Sequence, residues 1–200
     1  MATYYAGLDL GQSADHTALA VLQKVPTHDP HTGEHSTELH LRHLERFPLK
    51  TPYTDIADRV KGLLTGPPFT TPVISGGRLA RPTTELVVDK TGVGVAVTDL
   101  LKERRLNHVA VTITGLGQKV NRHSTKEYSV PKQDLVSALE VPFHKGTLKV
   151  AKGLPGWPKL REELLNFRRK QNKVTAHISY EHWRLLDTGS AQRAKGTRRS

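Results

Sequence analysis

Two short apolar runs in this chain each stop at an aspartate and break at once into a glycine-containing turn. This repeated pattern constrains the fold more than any other feature. Residues 3–9 read as a strand ending in Asp9, followed by the turn Gly11-Gln12-Ser13-Ala14-Asp15. Residues 86–89 read as a short buried strand ending in Asp89, followed by Thr91-Gly92-Val93-Gly94. Between them, residues 17–22 fit a second strand paired back on the first, and residues 26–37 read as an exposed hairpin loop. Residues 38–47 alternate as a third strand. Residues 53–64 place Ile56, Val60, Leu63 and Leu64 at helical spacing, with Thr54 as the expected N-cap. Residues 65–84, with Pro67, Pro68, Pro72 and Pro82, read as a long polar loop.

After Asp89, residues 95–105 read as a helix burying Val97, Leu100 and Leu101, residues 108–113 as a strand, and residues 115–128 as a loop. A helix is expected over 131–139 with Pro131 in its first turn. A small strand is expected over 148–151 and an amphipathic helix over 157–167. Beyond residue 171 the pattern decays. The end of the chain carries Arg193, Lys195, Arg198 and Arg199 with no acid and is expected to be disordered. The order is three strands, helix, strand, helix, strand, helices. It predicts an α/β domain over residues 1–184 and a basic tail over 185–200. The sheet should be mixed, an antiparallel meander joined to parallel strands through helical crossovers, with the first and fourth strands side by side.

Composition narrows the function. Cysteine is absent, which excludes disulfides and thiolate metal sites. No apolar run reaches bilayer length, and the start Met1-Ala2-Thr3-Tyr4-Tyr5 lacks the features of a signal peptide, so a soluble cytoplasmic protein with no membrane partner is expected. Thirty Lys and Arg against nineteen Asp and Glu give a net charge of +11, and such a surface attracts polyanions, of which nucleic acid is the commonest.

If the strands of Asp9 and Asp89 are parallel neighbours, both acids leave the same edge of the sheet about 4.8 Å apart. Carboxylates that close repel unless a cation or proton lies between them, and their hard oxygens suit Mg²⁺ or Mn²⁺. Two such ions about 3.5–4 Å apart can activate water and stabilise a leaving oxygen at a phosphodiester. The bland alternative is that each acid caps a turn.

The segment Tyr4-Tyr5-Ala6-Gly7-Leu8-Asp9-Leu10-Gly11-Gln12, resumed by Asp15-His16-Thr17-Ala18-Leu19-Ala20, resembles the first catalytic motif of phage large terminase nuclease domains. Leu86-Val87-Val88-Asp89-Lys90-Thr91-Gly92-Val93-Gly94 resembles the second, and Val130-Pro131-Lys132-Gln133-Asp134-Leu135-Val136 and Glu163-Leu164-Leu165-Asn166-Phe167 resemble later segments. The likeness covers most of residues 3–184. It implies a ribonuclease H-like fold, a two-metal mechanism, duplex DNA as substrate, a phage or prophage setting in a bacterial host, and a separate packaging ATPase or portal as partner. No Gly-x-x-x-x-Gly-Lys-Ser/Thr loop is present for a motor in this chain. The resemblance also implies a third acid, supplied in that family by a His-Asp-Asp segment after a Tyr-x-x-Trp-Arg-like stretch. Here Tyr180-Glu181-His182-Trp183-Arg184 is followed by Leu185-Leu186-Asp187-Thr188-Gly189-Ser190, so Asp187 is the nearest replacement. The end resembles a truncated or frame-shifted one. A missing ligand implies weak metal binding and impaired cleavage.

Other residues admit two readings each. Asp15 can assist a metal or simply serve the turn. Lys90, Lys119, Arg122, His123 and Lys126, and after the last helix Arg168, Arg169, Lys170 and Lys173, can hold DNA phosphates or be solvated. The Thr91-Gly92-Val93-Gly94 turn can cradle a phosphate or merely join strand to helix. His28, His31, His35, His40 and His43 lack tight zinc spacing. Trp157 and Trp183 read as packing residues. Two rival functions follow. One is a catalytically impaired DNA-binding remnant. The other is a sugar-kinase or actin-like ATP-binding domain, suggested by Gly7-Leu8-Asp9-Leu10-Gly11 but requiring two domains that 200 residues do not easily accommodate. A nuclease resembling Holliday-junction resolvases is a variant within the leading class.

Overall fold

The computed structural model describes residues 3–11, 15–75, 77–115, 117–171 and 178–182. The expected tail over 185–200, with Asp187, Trp183 and Lys173, lies outside the described residues. The chain divides into two compact units, Met1–Pro158 and Lys159–Ser200.

The first unit is α/β. Strands β1 (Thr3–Asp9), β2 (Ala18–His28) and β3 (His35–Arg46) form an antiparallel meander. Helix α1 (Tyr53–Leu64) follows. Next come the small hairpin β4 (Val73–Ser75) and β5 (Arg78–Ala80), strand β6 (Thr83–Asp89), helix α2 (Gly94–Glu103) and strand β7 (His108–Thr114). Strands β8 (Asn121–Ser124) and β9 (Glu127–Pro131), helix α3 (Lys132–His144) and strand β10 (Leu148–Val150) complete it. The eight-stranded sheet runs β10-β3-β2-β1-β6-β7-β9-β8, with β1, β6, β7 and β9 mutually parallel. This mixed sheet, a meander joined to parallel strands through helices, is the arrangement expected of a ribonuclease H-like domain. In the second unit, α4 (Trp157–Asn166) leads into β11 (Phe167–Gln171), which pairs antiparallel with β12 (Ile178–His182).

One face of the central strands makes the core. Tyr4, Ala6 and Leu8 of β1, Leu19 and Val21 of β2, and Leu86 and Val88 of β6 pack with Ile56, Ala57 and Val60 of α1 and with Val97 and Leu101 of α2. Strand alternation sends Tyr5, Gly7 and Asp9 to the opposite face, where they keep solvent access. The same alternation in β6 puts Asp89 on that opposite face, since Leu86 and Val88 are buried.

Several boundaries differ from the sequence expectation. Half of the hairpin loop expected over 26–37 is strand, because β2 and β3 continue to the His28–His35 pair and only residues 29–34 form the turn. Pro26 lies within β2, opposite Thr37 of β3. The carboxylate of Asp29 ties the turn by accepting the His31 and Thr32 amides at 2.8 and 3.3 Å. Thr54 does not cap α1: Pro52 occupies the cap in extended geometry, and the Thr54 hydroxyl donates to Asp55 instead. The polar stretch 65–84 contains the β4–β5 hairpin, and 115–128 contains β8 and the start of β9. Helix α3 runs on to His144 through Pro142. Leu100 is half-buried, whereas its helical neighbours Val97 and Leu101 are buried.

A candidate acidic metal site at the sheet edge

The parallel pairing of β1 with β6 sets Asp9 directly beside Asp89 as the last register partners of the ladder. Neighbouring parallel strands lie about 4.8 Å apart, and in-register residues share a face, so both carboxylates leave one edge together. Asp89 is held by its own turn, its Oδ1 accepting the Thr91 amide at 2.8 Å. The Thr91 hydroxyl in turn accepts the Ile113 amide of β7 at 2.8 Å, which fixes the turn against the next strand. The Thr91–Gly94 stretch is therefore a strand-to-helix turn anchored on both sides.

The Asp9 side is fixed by Gly11. Its amide donates to the Thr17 hydroxyl at 3.1 Å, and its carbonyl accepts the Tyr53 hydroxyl at 2.9 Å. The His16 ring donates through Nδ1 to the Phe47 carbonyl at 2.7 Å, pinning the return into β2. Gly11 admits no side chain, because a Cβ there would lie 2.3 Å from the Asp15 carbonyl oxygen and 2.5 Å from the His16 carbonyl carbon. Backbone cannot yield as a flexible side chain does. Gly11→Ala is therefore expected to destabilise the domain by about 1–3 kcal/mol, as overpacking commonly does, read as a lowered thermal midpoint.

The electrostatics suit a cation. Asp9 keeps solvent access, yet the surrounding chain crowds its carboxyl. This partial desolvation, followed by the negative charges of Asp89 and then Asp15, raises its pKa above the ordinary aspartate range. A divalent cation between Asp9 and Asp89 would offset the mutual repulsion of the carboxylates and favour the ionised form of Asp9, so these two residues fit Mg²⁺ or Mn²⁺ by ligand chemistry and charge. Among the described residues no group of three or more His, Asp or Glu side chains is arranged to hold a metal, and Asp187 lies outside them. Beside the Asp9 turn a cavity of about 300 Å³ opens, lined in part by Gly11, Asp15, Lys50 and Tyr53.

The expected basic contacts are dispersed. Lys90 turns to Glu127, forming an ion pair that holds the Glu127 carboxyl below its usual range. Lys126 donates to the Asn107 side chain at 2.6 Å. Arg122 lies in β8, not in a loop, with its Nε on the Ser124 carbonyl at 3.0 Å and its guanidinium 5.9 Å from the Tyr128 ring centre. Strand β8 is three places from β6 in the sheet, roughly 14 Å, so Arg122 can reach only phosphates displaced from the acidic pair. Lys119 is exposed just before that strand. Arg168, Arg169 and Lys170, read as DNA-backbone contacts or a solvated end following the last helix, fall in β11. His123 bonds Ser129 at 2.8 Å. Four histidines of the long hairpin make other contacts. His28 and His35 stack at 4.6 Å, and His40 and His43 pair with Glu38 and Glu45 at 2.7 and 3.0 Å.

Sequence reading passed over Lys102, Arg105 and His108, which line a cleft together with Lys90 and Lys126. A Lys-x-x-Arg spacing at a helix end was the available signal. Among the described residues, no helix is long and apolar enough to cross a membrane. No protein-family model, no curated protein and no solved structure matches this chain.

Proposed function

We propose that the chain is a metal-dependent DNA endonuclease domain, resembling the nuclease half of phage large terminases and acting in the cytoplasm of a bacterial host beside a separate packaging ATPase or portal. The observation that carries this reading is the in-register placement of Asp9 and Asp89 on adjacent parallel strands. Asp9 and Asp89 would hold Mg²⁺ or Mn²⁺, with Asp187 as the nearest further acid. Bound there, the ions would supply an activated water and neutralise the leaving oxygen of a phosphodiester. The chain's own part is orientation. The Asp89 carboxylate is held by its own turn and the backbone after Asp9 by the Gly11 contacts, while the net charge of +11 draws the DNA backbone with little base preference.

A second reading is a DNA-binding remnant that no longer cuts. It is favoured by the described residues, which bring two acids into register with no third ligand grouped beside them. Incubation of supercoiled plasmid with the protein in Mg²⁺, Mn²⁺ or EDTA separates the two. The nuclease reading expects open circles that depend on the metal. Retarded but uncut plasmid under every condition would leave the remnant.

A further inference from the structure

A cleft of about 590 Å³ opens beside the end of α2, the start of β7 and the turn between β8 and β9. It is separate from the acidic pair, since neither Asp9 nor Asp89 lines it. Its volume is within the range of sites that hold small organic ligands. Four cationic side chains line it, Lys90, Lys102, Arg105 and Lys126, against the one carboxylate of Glu127. Glu127 is taken by Lys90, and Lys102 pairs with Asp99 at 2.9 Å. Lys126 meets only a neutral amide oxygen, and Arg105 has no ion pair among the described residues. The cleft therefore keeps unneutralised positive charge.

Arg105 is placed at a backbone cost. It closes α2 with φ 59°, the left-handed region that glycine or asparagine usually fills at a helix end. The Arg105 amide donates to Lys102 at 2.8 Å and the Leu106 amide to Leu101 at 2.9 Å, which pins this geometry. The Arg105 guanidinium is exposed and makes no ion pair among the described residues. On the cleft wall, buried His108 donates through Nδ1 to the Leu106 carbonyl at 2.9 Å, leaving Nε2 as its remaining polar atom. A fork of donors and a lysine around a concave space match the oxygens of a phosphate, with the His108 Nε2 left as an acceptor beside them.

We propose that this cleft is a phosphate-recognition site that takes the phosphate of a free nucleotide or of a DNA strand, with Arg105 and Lys126 as its principal contacts. The site is independent of the metal reading, and its test runs in EDTA, so failure of one leaves the other standing. Calorimetry is performed on the full chain with inorganic phosphate, deoxyadenosine 5′-monophosphate, deoxyadenosine and a short single-stranded oligonucleotide. Arg105→Gln and Lys126→Gln are compared with Lys24→Gln, which removes an exposed charge of the same sign elsewhere. Each cleft substitution is expected to weaken phosphate-bearing ligands by about tenfold or more and to leave their thermal midpoints near the parent's. Lys24→Gln should bind as the parent does, and deoxyadenosine should not bind. Weakening for nucleotide and inorganic phosphate assigns a free-phosphate pocket. Weakening for the oligonucleotide alone, with a salt slope reduced by about 0.7 per lost contact, assigns a strand backbone. Equal affinities of the parent and both cleft variants for all phosphate ligands would overturn the proposal.

Discussion

Asp89→Asn is expected to lower metal-dependent plasmid nicking by at least about 100-fold, because residues that merely support a metal ligand already cost 10–100-fold when changed. Asp9→Asn should fall as far, since the two acids are register partners at one edge and a cation held by both is lost with either. The double variant should be no worse than either single one, as expected of groups that act as a unit. The loss must be separable from unfolding, and Asp9 allows that. Its pKa is raised in the folded chain by desolvation and by Asp89 and Asp15, so ionising it costs the folded state more than the unfolded one. That cost is absent where both states are protonated, below the ordinary aspartate range. It grows as pH rises from the ordinary aspartate range through the raised pKa and is complete above it. Asp9→Asn removes it, and its thermal midpoint in EDTA at neutral pH should equal or exceed the parent's while nicking is lost. Nicking that persists in either variant would detach the chemistry from this pair.

Leu8→Ala carries the largest expected stability loss. Leu8 is 2% exposed and sits in register between Leu19 and Val88, both fully buried. Truncating a leucine so placed costs about 2–5 kcal/mol, from lost transfer energy and the cavity left behind. For a domain of this size each kcal/mol moves the midpoint by about 2–4 °C, so a fall of roughly 4–20 °C is expected in a thermal melt. Because Leu8 precedes Asp9 in the same strand, metal affinity should fall with it. Tyr5→Ala, on the opposite face of β1 where the residue is 36% exposed, should cost much less.

How far the sequence could be read depended on how each element is stabilised. Strands β1 and β6 and helix α1 were legible because burial of one face imposes a period on the residues: Tyr4, Ala6 and Leu8 at every second place, Ile56 and Val60 at helical spacing. The adjacency of Asp9 and Asp89 followed from the order of elements, since a meander followed by a helical crossover brings the fourth predicted strand beside the first. Strand β8 was not legible. Asn121, Arg122, His123 and Ser124 are all exposed, and backbone pairing to β9 holds them in a strand without any side-chain pattern. The hairpin β4–β5 is three residues a side and hidden among prolines. The extension of β2 past Pro26 was masked by the turn-forming residues Pro26, Asp29, Pro30 and Gly33. The cleft around Arg105 was missed for a different reason. Its lining comes from three separate segments, and only the fold brings Lys90, Lys102 and Lys126 to one space.

The central claim is that Asp9 and Asp89 together hold a divalent cation, and titration of Mn²⁺ into the full chain by calorimetry addresses it without requiring catalysis. Binding by the parent is expected, with affinity reduced at least about tenfold in Asp9→Asn and in Asp89→Asn alike. At roughly ten times its dissociation constant, Mn²⁺ should stabilise the parent by about 1.4 kcal/mol and neither variant appreciably. Mn²⁺ binding of equal strength in the parent and both variants, or none in the parent, would contradict the account.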